Sequence, residues 1–331
     1  MERFALAAAV VLGFALTAAL CSLFVPLRRV LERREQNQQP VQPEQPRPVP
    51  LRAPLWGGLC AAAGTVAAVG VGWLAACVGQ PELLGSEGRL MTRLLTALAG
   101  SLAFGAVGLA EDLARMRSPA VLGLRRDVRL LLEALAAAFV LLLLQAAGCL
   151  PRGLDVPGAG YVLLGSAVPF LWAVLMVALA ECARIAERDE GTVCGAAFVA
   201  MLALMMAEAG LGVPGLAVLP AALAGALVAL LLWAFPPARL GVGCCGSLLA
   251  AGAIGCIPLS LDMTSLTVPL ALPFWAAGGL LAAQLLCAKR TGKPLRCWVK
   301  KHKMSPETVF LCSFALSAVG YVLALALLRW C

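Results

Sequence analysis

Ten apolar runs, most of them about 20 residues long, the length that crosses a bilayer as a helix, leave this chain few ways to fold. They lie at roughly 4–27, 55–78, 94–113, 128–146, 162–180, 192–211, 215–235, 246–261, 267–288 and 308–330. A helix satisfies its backbone polar groups internally, which hydrocarbon demands. Apolar residues make up 61% of the chain and charged residues 13%, with a mean hydropathy of +0.91, whereas soluble domains are roughly half apolar. The runs are continuous Leu, Ala, Val and Gly and lack the alternation of a membrane barrel. The sequence therefore predicts an all-α polytopic membrane bundle of about ten helices, forming one domain over 1–331. The first run is longer than a signal-peptide core, and Leu20 before Cys21 does not fit a small-residue cleavage site, so it is expected to stay attached. The eighth run, 246–261, is short and glycine-rich, which leaves a tilted or broken span open.

The net charge of +8 would suit a nucleic-acid partner if it were gathered on one soluble face. It is not. Lys and Arg fall in short loops, and when the loops are sorted alternately, twenty-one lie on one side and three (Arg89, Arg93, Arg152) on the other. Positive-inside bias then places residues 28–52, 114–127 and 289–307 in the cytoplasm and both termini outside. The proline- and glutamine-rich stretch 36–50 reads as a flexible cytoplasmic loop, and 289–307 as a basic one in contact with anionic lipid. Of the 13 cysteines, Cys21, Cys60, Cys77, Cys194, Cys256, Cys287 and Cys312 lie inside apolar runs, where Cys serves as a small buried hydrophobe. The absence of any CxxC pair argues against a disulfide framework or zinc site.

The chemistry-bearing stretch is Gly108–Glu133, GLAEDLARMRSPAVLGLRRDVRLLLE, which sets Glu111 and Asp112 at the end of one apolar run and a string of arginines before the next. Ionised carboxylates are costly in hydrocarbon, so the pair points to a polar pocket at headgroup level. A solvated helix end with Glu111 paired to Arg115 at i,i+4 is the alternative reading. Glu181, Glu187, Asp189 and Glu190 sort to the same side. Clustered carboxylates beside basic loops are what Mg²⁺ and a diphosphate would need, since Mg²⁺ takes a few carboxylates plus phosphate oxygens.

Five segments together resemble the polyprenyl-phosphate N-acetylhexosamine-1-phosphate transferase family (glycosyltransferase family 4 type), most closely its phospho-N-acetylmuramoyl-pentapeptide transferase branch. APLWGGL (Ala53–Leu59) resembles the family's TPTMGG; GLAEDLAR followed by LGLRRDVRLLLE resembles GF-x-DD-x-x-K and K-x-x-x-Q, with Glu111 and Asp112 at the acidic pair and Arg129 at the lysine. ECARIAERDEG (Glu181–Gly191) is similar to N-x-x-N-x-x-DG-x-DG, with Glu187 and Glu190 at the aspartates and Glu181 and Arg184 at the asparagines. FPPARLGVGCCGSL resembles PPAK-V-F-M-GD-T-GS, but Cys244 stands at the metal-binding aspartate. KRTGKPLRC resembles the TGK-R loop, yet the histidine triplet that should follow is absent and only His302 remains.

The resemblance implies a multi-pass protein of the bacterial plasma membrane that joins a sugar-1-phosphate from a UDP-sugar to undecaprenyl phosphate at a Mg²⁺ centre, in peptidoglycan or envelope polysaccharide synthesis. It implies catalytic roles for Glu111, Asp112 and Glu187, substrate binding by Arg129, Glu181, Arg184 and Glu190, and metal binding by Asp112 and Glu187. Expected partners are these substrates and membrane lipids, with a homodimer left open and no nucleic acid. Cys244 is a poor ligand for Mg²⁺, which wants oxygen, so weak or no activity is expected, with Mg²⁺ if active and otherwise no cofactor. Arg184 puts a permanent cation among the carboxylates. Either the scaffold has exchanged its ion for a guanidinium, or the site is no longer used and the residues have drifted. The second reading is a catalytically silent relative that binds a lipid phosphate or membrane partners. His302, in a lysine-rich loop, reads as a solvated side chain.

Overall fold

The computed structural model describes residues 2–38, 56–79, 88–117, 123–151, 153–156, 160–163, 165, 167–189, 191–213, 215–236, 238–291 and 305–330. Its helices are α1 (Glu2–Gln38), α2 (Gly57–Gly79), α3 (Gly88–Arg117), α4 (Arg126–Ala146), α5 (Ala167–Ala186), α6 (Thr192–Gly210), α7 (Val218–Ala234), α8 (Gly243–Ser260), α9 (Thr267–Leu270), α10 (Leu272–Thr291) and α11 (Pro306–Trp330). A short antiparallel hairpin, β1 (Gly153–Val156) and β2 (Gly160–Leu163), joins α4 to α5. Each expected apolar run contains or overlaps one of these helices, and the chain is an all-α membrane bundle. Among the described residues, by length and composition, seven helices can cross a membrane, and an eighth span forms if Thr264–Leu270 and Leu272–Ala283, bent by 63°, count as one. The shorter α7 is apolar throughout, and α4 opens on Arg126, Asp127, Arg129 and Glu133.

Two expectations change. The fifth run was to begin at Val162, but Val162 pairs with Leu154 in the hairpin and the helix starts at Ala167. The tilt or break left open for the eighth run gives way to a continuous helix, and a bend falls in the ninth run instead. Helix α8 is continuous, and all of its 18 residues are buried. Gly, Ala, Cys and Ser dominate it, so its neighbours approach closely from every side, and a helix buried all round needs no apolar stripe. Helices α2, α3, α5 and α6 surround it, with α3 making the longest contact. Around this core, α1 packs on α2 and α7, while α11 covers α6. The loop expected at 36–50 begins inside α1, which runs to Gln38; residues 39–50, like the basic segment 292–304 with His302, lie outside the described residues.

Cys21, Cys60, Cys77, Cys194 and Cys256 are buried as expected of small hydrophobes, but Cys312 is exposed on the outer face of α11. The side chain of Cys287 lies outside the described residues.

Candidate functional site

The start of α8 is held in place by glycines. Gly57 and Gly58 at the head of α2 donate backbone hydrogen bonds to the carbonyls of Gly241 and Val242, at 3.3 and 2.9 Å. Gly58 touches the backbone of Gly246, and Gly108 of α3 touches the Cys244 carbonyl, so closely that a Cβ at either position would overlap main chain. Gly243 adopts φ +73°, a left-handed conformation open to glycine at little cost, and α8 follows directly. One turn beyond Gly108, the carboxylate of Asp112 accepts hydrogen bonds from the N–H groups of Cys244 (3.0 Å) and Cys245 (2.8 Å). A helix N-terminus offers orphan donors and a positive dipole end, a natural seat for an anion. Here that seat is taken by the chain's own Asp112, which is 1% exposed.

The remaining charges form a connected lattice. Arg115 donates to Glu111 Oε1 at 2.7 Å and lies 3.9 Å from Asp112 and 3.6 Å from Glu187. Glu181 is the hub of the other half, receiving Arg129 Nε and Arg184 Nη2, each at 2.7 Å. Arg129 also lies 3.7 Å from Glu111 and 4.0 Å from Glu133, which ties the halves together. The Cys244 thiol donates to Glu187 Oε2 at 3.2 Å. The side chains of these arginines and of Glu181 and Glu187 are at most 23% exposed, and Glu111 and Glu133 are fully buried.

The structure thus brings Glu111, Asp112, Arg129, Glu181, Arg184, Glu187 and Cys244 together at one end of the bundle, from the end of α3, the start of α4, the end of α5 and the start of α8. Glu190 lies outside the described residues. The i,i+4 pair of Glu111 and Arg115 exists, but as a buried contact and not a solvated helix end. Two members of the cluster are not among the sequence-predicted site residues, although the i,i+4 spacing pairs Arg115 with Glu111. Arg115 bridges three carboxylates; Glu133 is enclosed beside Arg129, with neither carboxyl oxygen hydrogen-bonded. The signal was present for Glu133, since it stands one helical turn after Arg129. Glu208, buried near the far end of α6 with one oxygen unpartnered, was also missed.

The donor set does not fit Mg²⁺. Both oxygens of Asp112 are engaged by amides, Glu187 by a thiol and Glu181 by two guanidinium groups. Arginines stand where an octahedral shell would need water or phosphate oxygens, and among the described residues no group of three or more His, Cys, Asp or Glu is placed to hold a metal ion.

The model of glycosyl transferase family 4 matches residues 94–262, which run from within α3 to the end of α8 and hold the whole charged lattice. The phospho-N-acetylmuramoyl-pentapeptide-transferase of Mycobacterium tuberculosis (strain H37Rv) is 28% identical over 265 residues, covering 72% of this chain and 72% of its own. The proteins of that name from Synechococcus sp. (strain RCC307) and Geobacillus kaustophilus are 30% identical over 212 residues (63% of this chain, 55% of the relative) and 25% identical over 309 residues (92% and 89%).

Proposed function

The chain belongs to glycosyl transferase family 4, and from that premise we propose that it is a phospho-N-acetylmuramoyl-pentapeptide-transferase-like protein of bacterial cell-wall precursor synthesis. It engages undecaprenyl phosphate and a UDP-sugar at the cytoplasmic face of the plasma membrane through a centre that neutralises its own charges instead of holding Mg²⁺. The observation that carries this reading is the occupation of the carboxylates: Asp112 closes the α8 N-terminus, Arg115 holds Glu111, and Glu181 holds Arg129 and Arg184. The guanidinium groups that the resemblance assigns to substrate binding, Arg129 and Arg184, are thereby engaged inside the protein. The phosphate is met instead at the rim, where Arg125, Arg126 and Arg188 are exposed beside the lattice. Orientation follows from the positive-inside bias, because the ends of α3 and α5 and the start of α8, which adjoin the basic loops, meet at this end.

The second reading is an active transferase, favoured by relatives of that name aligning over most of the chain. The readings separate on metal dependence. Purified protein in detergent is titrated with undecaprenyl phosphate with Mg²⁺ and with a chelator, and binding is read by thermal stabilisation. Equal stabilisation in both conditions, reduced in an Arg126→Ala, Arg188→Ala variant, is the expected result. Stabilisation that requires Mg²⁺ supports the active transferase, and no stabilisation in either condition removes the lipid-phosphate assignment.

A further inference from the structure

Helices α1 and α2 run antiparallel with a register that small residues define. Thr17 abuts the Cα of Gly64 and Ala9 that of Gly72, and Phe24 stacks on Trp56 with ring centroids 5.5 Å apart. The first two pairs share one rule: their residue numbers sum to the same value, as those of facing residues in an antiparallel pair do. Cys21 and Cys60 obey it too. They lie one helical turn from Thr17 and Gly64, which sets them opposite each other across the α1–α2 seam. Both are buried, at 0% and 1% exposure. Cys194 of α6 lies within electrostatic range of Cys21, and Cys245 of α8 within that of Cys60.

We infer that Cys21 and Cys60 form a reversible thiol–disulfide couple that staples α1 to α2 inside the membrane when a small, membrane-permeant peroxide is present. One thiol attacks hydrogen peroxide, giving a sulfenic acid and one water; the facing thiol displaces the hydroxyl, forming the S–S bond and a second water. Two electrons and two protons leave the pair, and peroxide is the only oxidant required. Burial excludes larger reagents, while the register that sets the two cysteines opposite each other places the resolving group beside the first site of oxidation. The staple lies close to the charged lattice. Cys60 is two residues from Gly58, whose N–H holds the Val242 carbonyl just before α8. The other two neighbouring thiols, Cys194 and Cys245, are the alternative resolving groups, and the α1–α2 register is what favours Cys21.

The test treats membranes carrying the full chain with hydrogen peroxide, alkylates remaining thiols under denaturing conditions and maps linked peptides by mass spectrometry. Cys312, exposed on α11, reports that oxidant was delivered. The expected result is a reductant-sensitive link between the Cys21 and Cys60 peptides, two hydrogens lighter than their sum. In Cys21→Ser this link disappears without a substitute, and the oxidant-induced rise in melting temperature seen in the parent protein is lost. If Cys21 and Cys60 remain alkylatable at doses that oxidise Cys312, or if Cys60 links to Cys245 or Cys21 to Cys194 instead, the inference is overturned.

Discussion

Replacing Glu181 by alanine removes the hub from half of the lattice. Its two oxygens each receive a charged hydrogen bond of 2.7 Å, from side chains that are 8% and 15% exposed. Breaking a buried ion pair from one side costs about 3–5 kcal/mol, because the partner is left charged and enclosed. Arg129 keeps Glu111 at 3.7 Å and Glu133 at 4.0 Å, so most of the loss falls on Arg184. That residue makes no other ion pair among the described residues, and its Nε is already without a partner. At about 2 °C per kcal/mol for a chain of this size, the melting temperature of purified Glu181→Ala should fall by roughly 6–10 °C, measured by thermal unfolding in detergent. Adding Arg184→Ala should recover part of that loss, since it removes the stranded charge. Asp127→Ala is the control: the pair of Arg125 and Asp127 is 84% and 85% exposed at 3.9 Å, and its loss should not register. A Glu181→Ala protein that melts within 1 °C of the parent, or a double variant less stable than the single one, would refute the hub.

Asp112→Ala should cost about 2–6 kcal/mol, since two enclosed N–H groups at the start of α8 lose their acceptor at about 1–3 kcal/mol each; Asp112→Asn should recover part of this by retaining one acceptor oxygen, and denaturant or thermal unfolding measures both. Gly108→Ala and Gly58→Ala each drive a methyl into the main chain of α8, so both should lower the yield of folded protein sharply in size-exclusion chromatography, whereas Gly70→Ala, with open space around it, should not. Cysteines introduced at Gln38 and Lys301 should resist an impermeant thiol reagent in intact cells and react after lysis; labelling in intact cells would reverse the orientation.

The fold was legible because hydrocarbon leaves little choice: an apolar run long enough to span must become a helix, and every such run contains or overlaps one. It failed at Val162, where hairpin and helix share one apolar stretch, YVLLGSAVPFLW. Composition there is continuous, and only Gly165, with φ +59°, marks the join. The gathering of Asp112, Glu187 and Cys244 was legible from motif order, since family likeness carries spatial information that residue chemistry alone does not. The partners were not legible. Which arginine meets which carboxylate depends on helix rotation and crossing: Arg184 was expected among the carboxylates, yet its one ion-pair partner among the described residues is Glu181, while Glu187, just past the helix end, turns to the Cys244 thiol. The seating of Asp112 on the α8 amides was invisible for the same reason: the donors are backbone groups, and no side chain at 244 or 245 announces them.

The central claim is that Asp112, Glu181 and Glu187 are committed to internal partners and that the centre does not serve a Mg²⁺-dependent transfer. The measurement that tests it most directly is exchange of labelled UMP into UDP-N-acetylmuramoyl-pentapeptide by the purified protein with undecaprenyl phosphate, run in parallel with Mg²⁺ and with a chelator. The account predicts the same background rate in both, and no recovery in Cys244→Asp, because Arg115 and Arg184 still stand among the carboxylates. Robust exchange by the unmodified protein that requires Mg²⁺ and vanishes in Asp112→Asn would contradict it.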